Sequence, residues 1–164
     1  MRGVRSVPTP VTGSDHVTGL CCRAELQSLL AARLPLAGNL PDKSANSPIS
    51  LMICDVIGLK EVNDSRGFQA GDAMLSAAAR QLQSVANDAE MLARLGGDEL
   101  IAVYTGPHAG HRAAEVVSRL RESSAKPTPD ASRNPQLRAA WGEARPQDTP
   151  GQLIDRVYAS MRAS

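Results

Sequence analysis

Aromatic side chains are scarce in this sequence, which has one Trp, two Tyr and one Phe among 164 residues. Hydrophobic residues nevertheless make up 42% of the chain. We therefore expect a core built from Leu, Val, Ile, Ala and Met. The length is that of one domain with a substantial core.

Strong net charge and long apolar runs are also missing. The formal net charge is +1, which argues against a broad nucleic-acid or membrane footprint. No apolar run approaches the roughly 20 residues that span a bilayer. The N-terminus lacks the apolar centre of a signal peptide. We therefore expect a cytoplasmic protein with no membrane segment and no nucleic-acid partner.

Cysteine and histidine are few, with three residues of each type. The spacing of Cys21, Cys22 and Cys54 and the positions of the histidines do not indicate a zinc site. We expect a free buried thiol at Cys54 and reduced thiols at the adjacent pair. His108 and His111 are expected on the surface near a helix start.

The glycine pair Gly96 and Gly97 separates a short apolar run from a longer, partly β-branched one. This pattern predicts a β-hairpin in which the glycines supply the positive φ of a tight turn. Asp98 and Glu99 follow at once, and adjacent carboxylates on a rigid backbone suit a hard divalent cation. A solvated hairpin tip with incidental charge explains the same pattern.

A single acid, Asp55, interrupts the apolar run at 51–57. Such runs are typical of strands covered on both faces. A carboxylate inside one is costly to bury unless it is paired or binds a metal. The segment that follows is dense in side chains that contact phosphates and bases, among them Lys60, Asn63 and Asp72.

Periodicity predicts eight features of the chain, including the hairpin, and we place their ends approximately. They are a helix at 22–34, a strand at 49–57, helices at 59–65 and 71–85, the hairpin, a helix ending near 123, a strand at 136–142 and a helix at 151–161. Loops are expected at 35–48 and 123–135. Asp72 would lie in the first turn of its helix, where capping is an alternative role. Trp141 is expected to pack against a helix.

The order of these motifs resembles the GGDEF domain of diguanylate cyclases. The matching residues are Asp55, Lys60, Asn63, Asp64, Gly67, Gly71 and Asp72, then Arg94 and the signature Gly96-Gly97-Asp98-Glu99-Leu100, with an opening motif at 15–23. Residues 1–14 are rich in Pro, Thr, Gly and Ser without an apolar pattern, which predicts a flexible lead-in, and this segment is too short for the sensory domain that family members commonly have upstream. The resemblance predicts one GGDEF domain at 15–164. It implies an α+β, palm-like (ferredoxin-like) nucleotidyl cyclase sandwich, with a central, mostly antiparallel five-stranded sheet covered by helices.

The resemblance also implies a function in bacterial signalling. Diguanylate cyclases condense two GTP molecules into cyclic di-GMP and two pyrophosphates, each 3′-hydroxyl attacking the α-phosphate of the other nucleotide. By the same resemblance Asp55, the backbone carbonyl of Val56 and Asp98 would hold Mg²⁺ or Mn²⁺. Either Asp98 or Glu99 would help remove the hydroxyl proton. Each domain holds one GTP, so a transient homodimer is implied.

The remaining site residues would bind the substrate. Lys60 would contact the triphosphate, and Asn63 and Asp72 would read the guanine edge. Gly96 and Gly97 would let the backbone approach the phosphates closely.

Several positions depart from the pattern of the GGDEF family. Ile57 stands where a second acid is usual, and Leu59 stands where Phe is usual. Phe68 and Leu100 are further replacements, both compatible with packing. Met161 replaces a phosphate-binding Lys, for which Arg162 would substitute only if the helix end rotated. We expect weaker triphosphate binding or low activity.

The usual Arg-x-x-Asp product-inhibition motif is replaced by residues 87–90, which have no arginine, so feedback inhibition through it is not expected. Two alternatives to an active cyclase stay open. One is a degenerate domain that binds GTP or a protein partner without turnover. The other is a relative that makes a different cyclic dinucleotide.

Overall fold

The computed structural model describes residues 13–34, 47–126 and 129–163. Its elements are α1 (Arg23–Arg33), β1 (Ile49–Val56), α2 (Leu59–Arg66), α3 (Phe68–Val85), β2 (Met91–Arg94), β3 (Glu99–Thr105), α4 (Ala109–Ser124), β4 (Leu137–Glu143) and α5 (Pro150–Arg162). This order of helices and strands is the predicted one. The lead-in up to residue 12 and the loop at 35–46 lie outside the described residues, so the predictions for them stay predictions.

The sheet has the strand order β2-β3-β1-β4, and every neighbouring pair is antiparallel. The antiparallel prediction is confirmed, but the described chain contains four strands rather than the expected five. Next to the edge strand β2, Cys21 forms an isolated bridge with Ala93 and another with Ser14, but no strand. Cys22 already caps α1, so the chain leaves the sheet before a fifth strand can form.

Side chains of successive strand residues point to opposite faces of the sheet. Both faces are apolar, and helices cover both of them. Met52 and Cys54 of β1 belong to one buried cluster, which includes side chains of α3 and α4. Leu51 and Ile53 belong to the other, with side chains of α1 and α5. Of the aromatic residues only Tyr104 is fully buried, so the expected aliphatic core is confirmed within the described residues.

The helix α3 begins at Phe68, earlier than predicted, after Gly67 with a φ of +85°. Glycine adopts this left-handed conformation without steric cost. Asp72 consequently lies beyond the first turn, which contains no acidic residue, so the capping alternative for Asp72 is wrong. Phe68, whose replacement of the usual residue we expected to be compatible with packing, is 79% exposed. Leu100 is buried.

Three expectations about single side chains have clear outcomes. Cys54 is free and buried, and burial raises the pKa of its thiol to about 12. His108 and His111 are exposed at the start of α4, as expected. Trp141 is 37% exposed and lines surface cavities together with residues of α4 and α5, so its packing against a helix stays a prediction. None of the described helices is both long and apolar enough to cross a membrane.

Candidate functional site

The end of β1 lies beside the start of β3, and this contact brings the acidic residues together. In the β1/β3 register Asp55 lies opposite Glu99. The backbone N–H of Val56 donates to the carbonyl oxygen of Asp98 at 3.0 Å. Asp55 and Val56 at the end of β1 are therefore neighbours of Asp98, which is distant from them in the sequence and directly precedes β3.

The side chains of Asp55 and Glu99 are on the face of the sheet that α1 and α5 cover. Asp55 alternates in phase with Ile53, and Glu99 with Ile101. Tyr158 of α5 forms a hydrogen bond with Glu99; burial and then this bond raise the pKa of Tyr158. The phenol stays protonated and donates to the carboxylate, which holds Glu99 in place.

The hairpin turn differs from the predicted one. Gly96 and Gly97 are not among the glycines with positive φ. The turn is a longer loop closed by the N–H of Leu95 donating to the Glu99 carbonyl at 2.9 Å. A Cβ at Gly96 would lie 2.7 Å from Glu99 Oε2, whereas a Cβ at Gly97 would meet no atom within 4 Å. Close approach to Glu99 therefore requires the first glycine, and the second leaves open backbone at the loop tip.

Arg94 fixes this loop to the opening motif. Its guanidinium donates to the carbonyl oxygens of Gly96 and Gly97 at 3.2 and 2.7 Å and to Asp15 Oδ1 at 3.0 Å. Burial of Asp15 opposes its ionisation, but hydrogen bonds from Thr18 and the charge of Arg94 outweigh it and lower the pKa of Asp15. Sequence reasoning had matched Arg94 to the signature without giving it this role.

The two residues that the resemblance predicts to read the guanine edge, Asn63 and Asp72, come together where α2 meets α3. Gly58, with a φ of +82°, turns the chain from β1 into α2, which places Lys60 exposed in the first helical turn. The Asn63 side chain occupies the space that a Cβ at Gly71 would fill. Asn63 is therefore held next to exposed Asp72.

Sequence reasoning missed Arg138 entirely. In the β1/β4 register Arg138 lies opposite Asp55. Its Nε and Nη2 donate to Asp55 Oδ1 and Oδ2 at 3.3 and 2.5 Å. Glu99, Asp55 and Arg138 thus form a row across three strands. The strand prediction for 136–142 was the available signal, but it gave no register against β1.

A surface cavity of about 340 Å³ lies between α5 and the hairpin. It is lined by Arg23, Leu95, Glu99, Ile154, Asp155, Tyr158 and Arg162. Arg162 lines this cavity, and its substitution for the phosphate-binding Lys stays a prediction. Met161 is 3% exposed and packs in the core, so the position where a phosphate-binding Lys was expected points inward.

No three His, Cys, Asp or Glu side chains within residues 13–34, 47–126 and 129–163 are grouped closely enough to hold a metal ion. The ligand set expected from the resemblance has only two carboxylates, with a backbone carbonyl as the third donor. All three donors are oxygens, the type that Mg²⁺ and Mn²⁺ bind. Their chemistry fits such an ion, and the metal role of these residues stays a prediction.

Proteins similar to this chain in sequence indicate the family to which it belongs. The family model "Diguanylate cyclase, GGDEF domain" matches residues 12–163. An uncharacterized signaling protein of Caulobacter vibrioides is 39% identical over 116 residues, which cover 70% of this chain and 14% of that protein. A diguanylate cyclase of Vibrio cholerae is 31% identical over 115 residues, covering 68% and 34% respectively. The chain thus spans about a third or less of the length of these relatives.

The fold agrees with a solved structure. The GGDEF domain of DgcB from Caulobacter crescentus, in complex with c-di-GMP, superimposes with a TM-score of 0.73 at 22% identity, over 93% of this chain and 90% of that chain. At this identity the likeness concerns the fold alone. Together with the signature loop and a family model that matches almost the whole length, it leads to one assignment: the chain belongs to the GGDEF domain family.

Proposed function

We propose that this chain is a diguanylate cyclase, which condenses two GTP molecules into cyclic di-GMP with release of two pyrophosphates. The observation that carries the proposal is the β1/β3 register, which sets Asp55 opposite Glu99 and Val56 beside Asp98. A family relative from Vibrio cholerae bears the name of this activity.

Substrate binding is assigned to two regions beside these acids. Lys60 in the first turn of α2 would bind the triphosphate as a point charge. Asn63 and Asp72 would bind the guanine edge, the amide donating to O6 and the carboxylate accepting from N1 and N2. Gly97, which has open space around it, would let the loop backbone approach the phosphates.

Asp55, Asp98 and the backbone carbonyl of Val56 would hold Mg²⁺ or Mn²⁺. When bound, the ion neutralises charge at the phosphates and lowers the pKa of the attacking 3′-hydroxyl. Asp55 already forms an ion pair with Arg138, which the metal would have to compete with. Asp98 or Glu99 would accept the hydroxyl proton, and the hydrogen bond with Tyr158 would keep Glu99 oriented.

The proposal is tested by incubating the purified chain with GTP and Mg²⁺ and separating the products by ion exchange. Cyclic di-GMP is expected. Asp98→Asn should reduce the rate by about 100-fold or more, because even the outer partners of metal ligands cost 10–100-fold. Glu122→Gln, at an exposed acid on α4, is the matched control and should leave the rate unchanged. Equal rates for Asp98→Asn and the native chain would disprove the assignment.

A second candidate function is GTP binding without turnover. It is favoured by Met161, which is buried where a phosphate-binding Lys was expected, and by the ion pair that engages Asp55. Saturable GTP binding with no product in the same incubation would support it. A mixed product after ATP is added would instead indicate another cyclic dinucleotide.

A further inference from the structure

A positively charged side chain of the protein, Arg138, already contacts the predicted metal ligand Asp55. Arg138 and Asp55 are directly opposite in the β1/β4 register. Their ion pair is two-pronged, with one guanidinium nitrogen on each carboxylate oxygen. Such paired N–H···O contacts are among the stronger and more directional ion pairs in proteins.

The two partners differ in exposure. The Asp55 side chain is 15% exposed, whereas that of Arg138 is 51% exposed. The carboxylate therefore belongs to the site, and the guanidinium reaches it from the rim. Because half of the arginine faces solvent, it can leave Asp55 without breaking a buried packing arrangement.

Arg138 cannot vacate the site by losing its charge. The hydrogen bond and charge of Asp55, and more weakly the charge of Asp98, raise the pKa of Arg138. A guanidinium is protonated at every physiological pH in any case. The two contacts of Arg138 occupy one lone pair on each oxygen of Asp55, and its positive charge repels a second cation, so a divalent ion that binds Asp55 competes with Arg138.

We propose that Arg138 is a tethered cation that competes with the divalent metal for Asp55, and that it is a positioning residue which sets the metal affinity of the site. This rests on the proposed function, since it assumes that Asp55 is a metal ligand. When the metal ion displaces Arg138 from Asp55, the guanidinium would lie beside the phosphates of a bound nucleotide and would form a new ion pair with them. Metal and nucleotide binding would consequently support each other, and the metal alone would bind weakly.

The test uses Mn²⁺ alone and needs no turnover. The purified full chain is titrated with Mn²⁺, and the free ion is measured by electron paramagnetic resonance. Arg138→Ala should lower the dissociation constant about tenfold, the ratio that 1.4 kcal/mol produces. Arg119→Ala is the matched control, because Arg119 is 55% exposed and also forms an ion pair with one carboxylate, Glu115, on the opposite side of the sheet. The Arg119→Ala protein should bind Mn²⁺ with the same affinity as the native chain.

Arg138→Gln keeps a hydrogen-bonding side chain without the charge. It should show the same gain in Mn²⁺ affinity, and it provides the test if Arg138→Ala fails to fold. Adding Asp55→Asn to either variant should abolish the gain. An unchanged or weaker affinity for Mn²⁺ in both Arg138 variants, or no binding by any of the proteins, would overturn the proposal. If the gain is found but GTP yields no product, the proposed function fails and the role of Arg138 stands.

Discussion

At the scale of single residues, Gly71 is the position whose lack of a side chain has the clearest consequence. The Asn63 side chain fills the space of a Cβ at this position. In Gly71→Ala the amide must move away, and we expect GTP affinity to fall about tenfold, close to the loss in Asn63→Ala, since a buried amide contact contributes about 1.4 kcal/mol.

Stability should respond differently to the same substitution. Gly71 lies inside α3, where Ala is favoured over Gly by about 1 kcal/mol. This gain offsets the crowding of a flexible side chain, so the urea midpoint should change little. Isothermal titration with GTP and urea unfolding measure the two effects. Unchanged GTP affinity would show that Asn63 does not bind guanine.

Met161 is a second residue whose environment decides its role. It is buried against the core on the α1 and α5 face of the sheet. Met161→Lys should therefore destabilise the domain by about 3 kcal/mol, the cost of burying an unpaired polar group. Met161→Leu keeps the volume and should cost less than about 1.5 kcal/mol. Urea unfolding compares them; a Met161→Lys protein of native stability with tighter GTP binding would contradict this placement.

At the scale of elements, an ion pair defines the connection between β4 and α5. Arg156 of α5 donates to Asp148 Oδ1 at 3.0 Å and Oδ2 at 2.6 Å, and to the carbonyl oxygen of Glu143 at 2.7 Å. Asp148 also accepts from the backbone N–H of Arg145 at 2.7 Å. One carboxylate thus joins the strand end, the loop and the helix on which Tyr158 lies.

The hydrogen bond from Arg156 lowers the pKa of Asp148 from its ordinary value of 3.8. A carboxyl group with a lowered pKa stabilises the fold at a pH above its ordinary value, and this contribution is lost as the pH falls through the folded-state pKa. Asp148→Asn should therefore be less stable than the native chain by roughly 1 kcal/mol at pH 7. The two proteins should converge once the pH lies below the lowered folded-state pKa of Asp148. Urea unfolding at neutral pH and below that pKa measures this, and a difference that persists at the acidic end would refute it.

At the scale of the whole molecule, the proposed function assigns one set of nucleotide-binding residues to each chain, while the proposed product joins two nucleotides. The proposal therefore implies that two chains face each other during turnover. Where light scattering finds monomers, the rate per chain should rise in proportion to protein concentration. A constant rate per monomer across that range would mean that one chain makes the product alone.

Local pattern was sufficient for most elements of this fold. The apolar spacing of Leu26 and Leu30 predicted α1, and the glycine pair between two apolar runs predicted the hairpin. Ends and turns were less accurate: α3 begins at Phe68, and the glycine pair does not use positive φ. The start of α3 follows from the positive φ of Gly67, and the loop at the glycine pair is closed by the hydrogen bond between Leu95 and Glu99; apolar spacing specifies neither.

The sequence by itself determined the order of elements, the aliphatic character of the core and the motif set that identifies the family, because these depend on residue type and spacing along the chain. Only the tertiary structure decided that Arg138 binds Asp55, that Arg162 lines the cavity beside Glu99 and that Met161 points inward. These depend on the register between strands that are not consecutive and on how α5 lies on the sheet. Long-range packing sets both, and no local spacing encodes them.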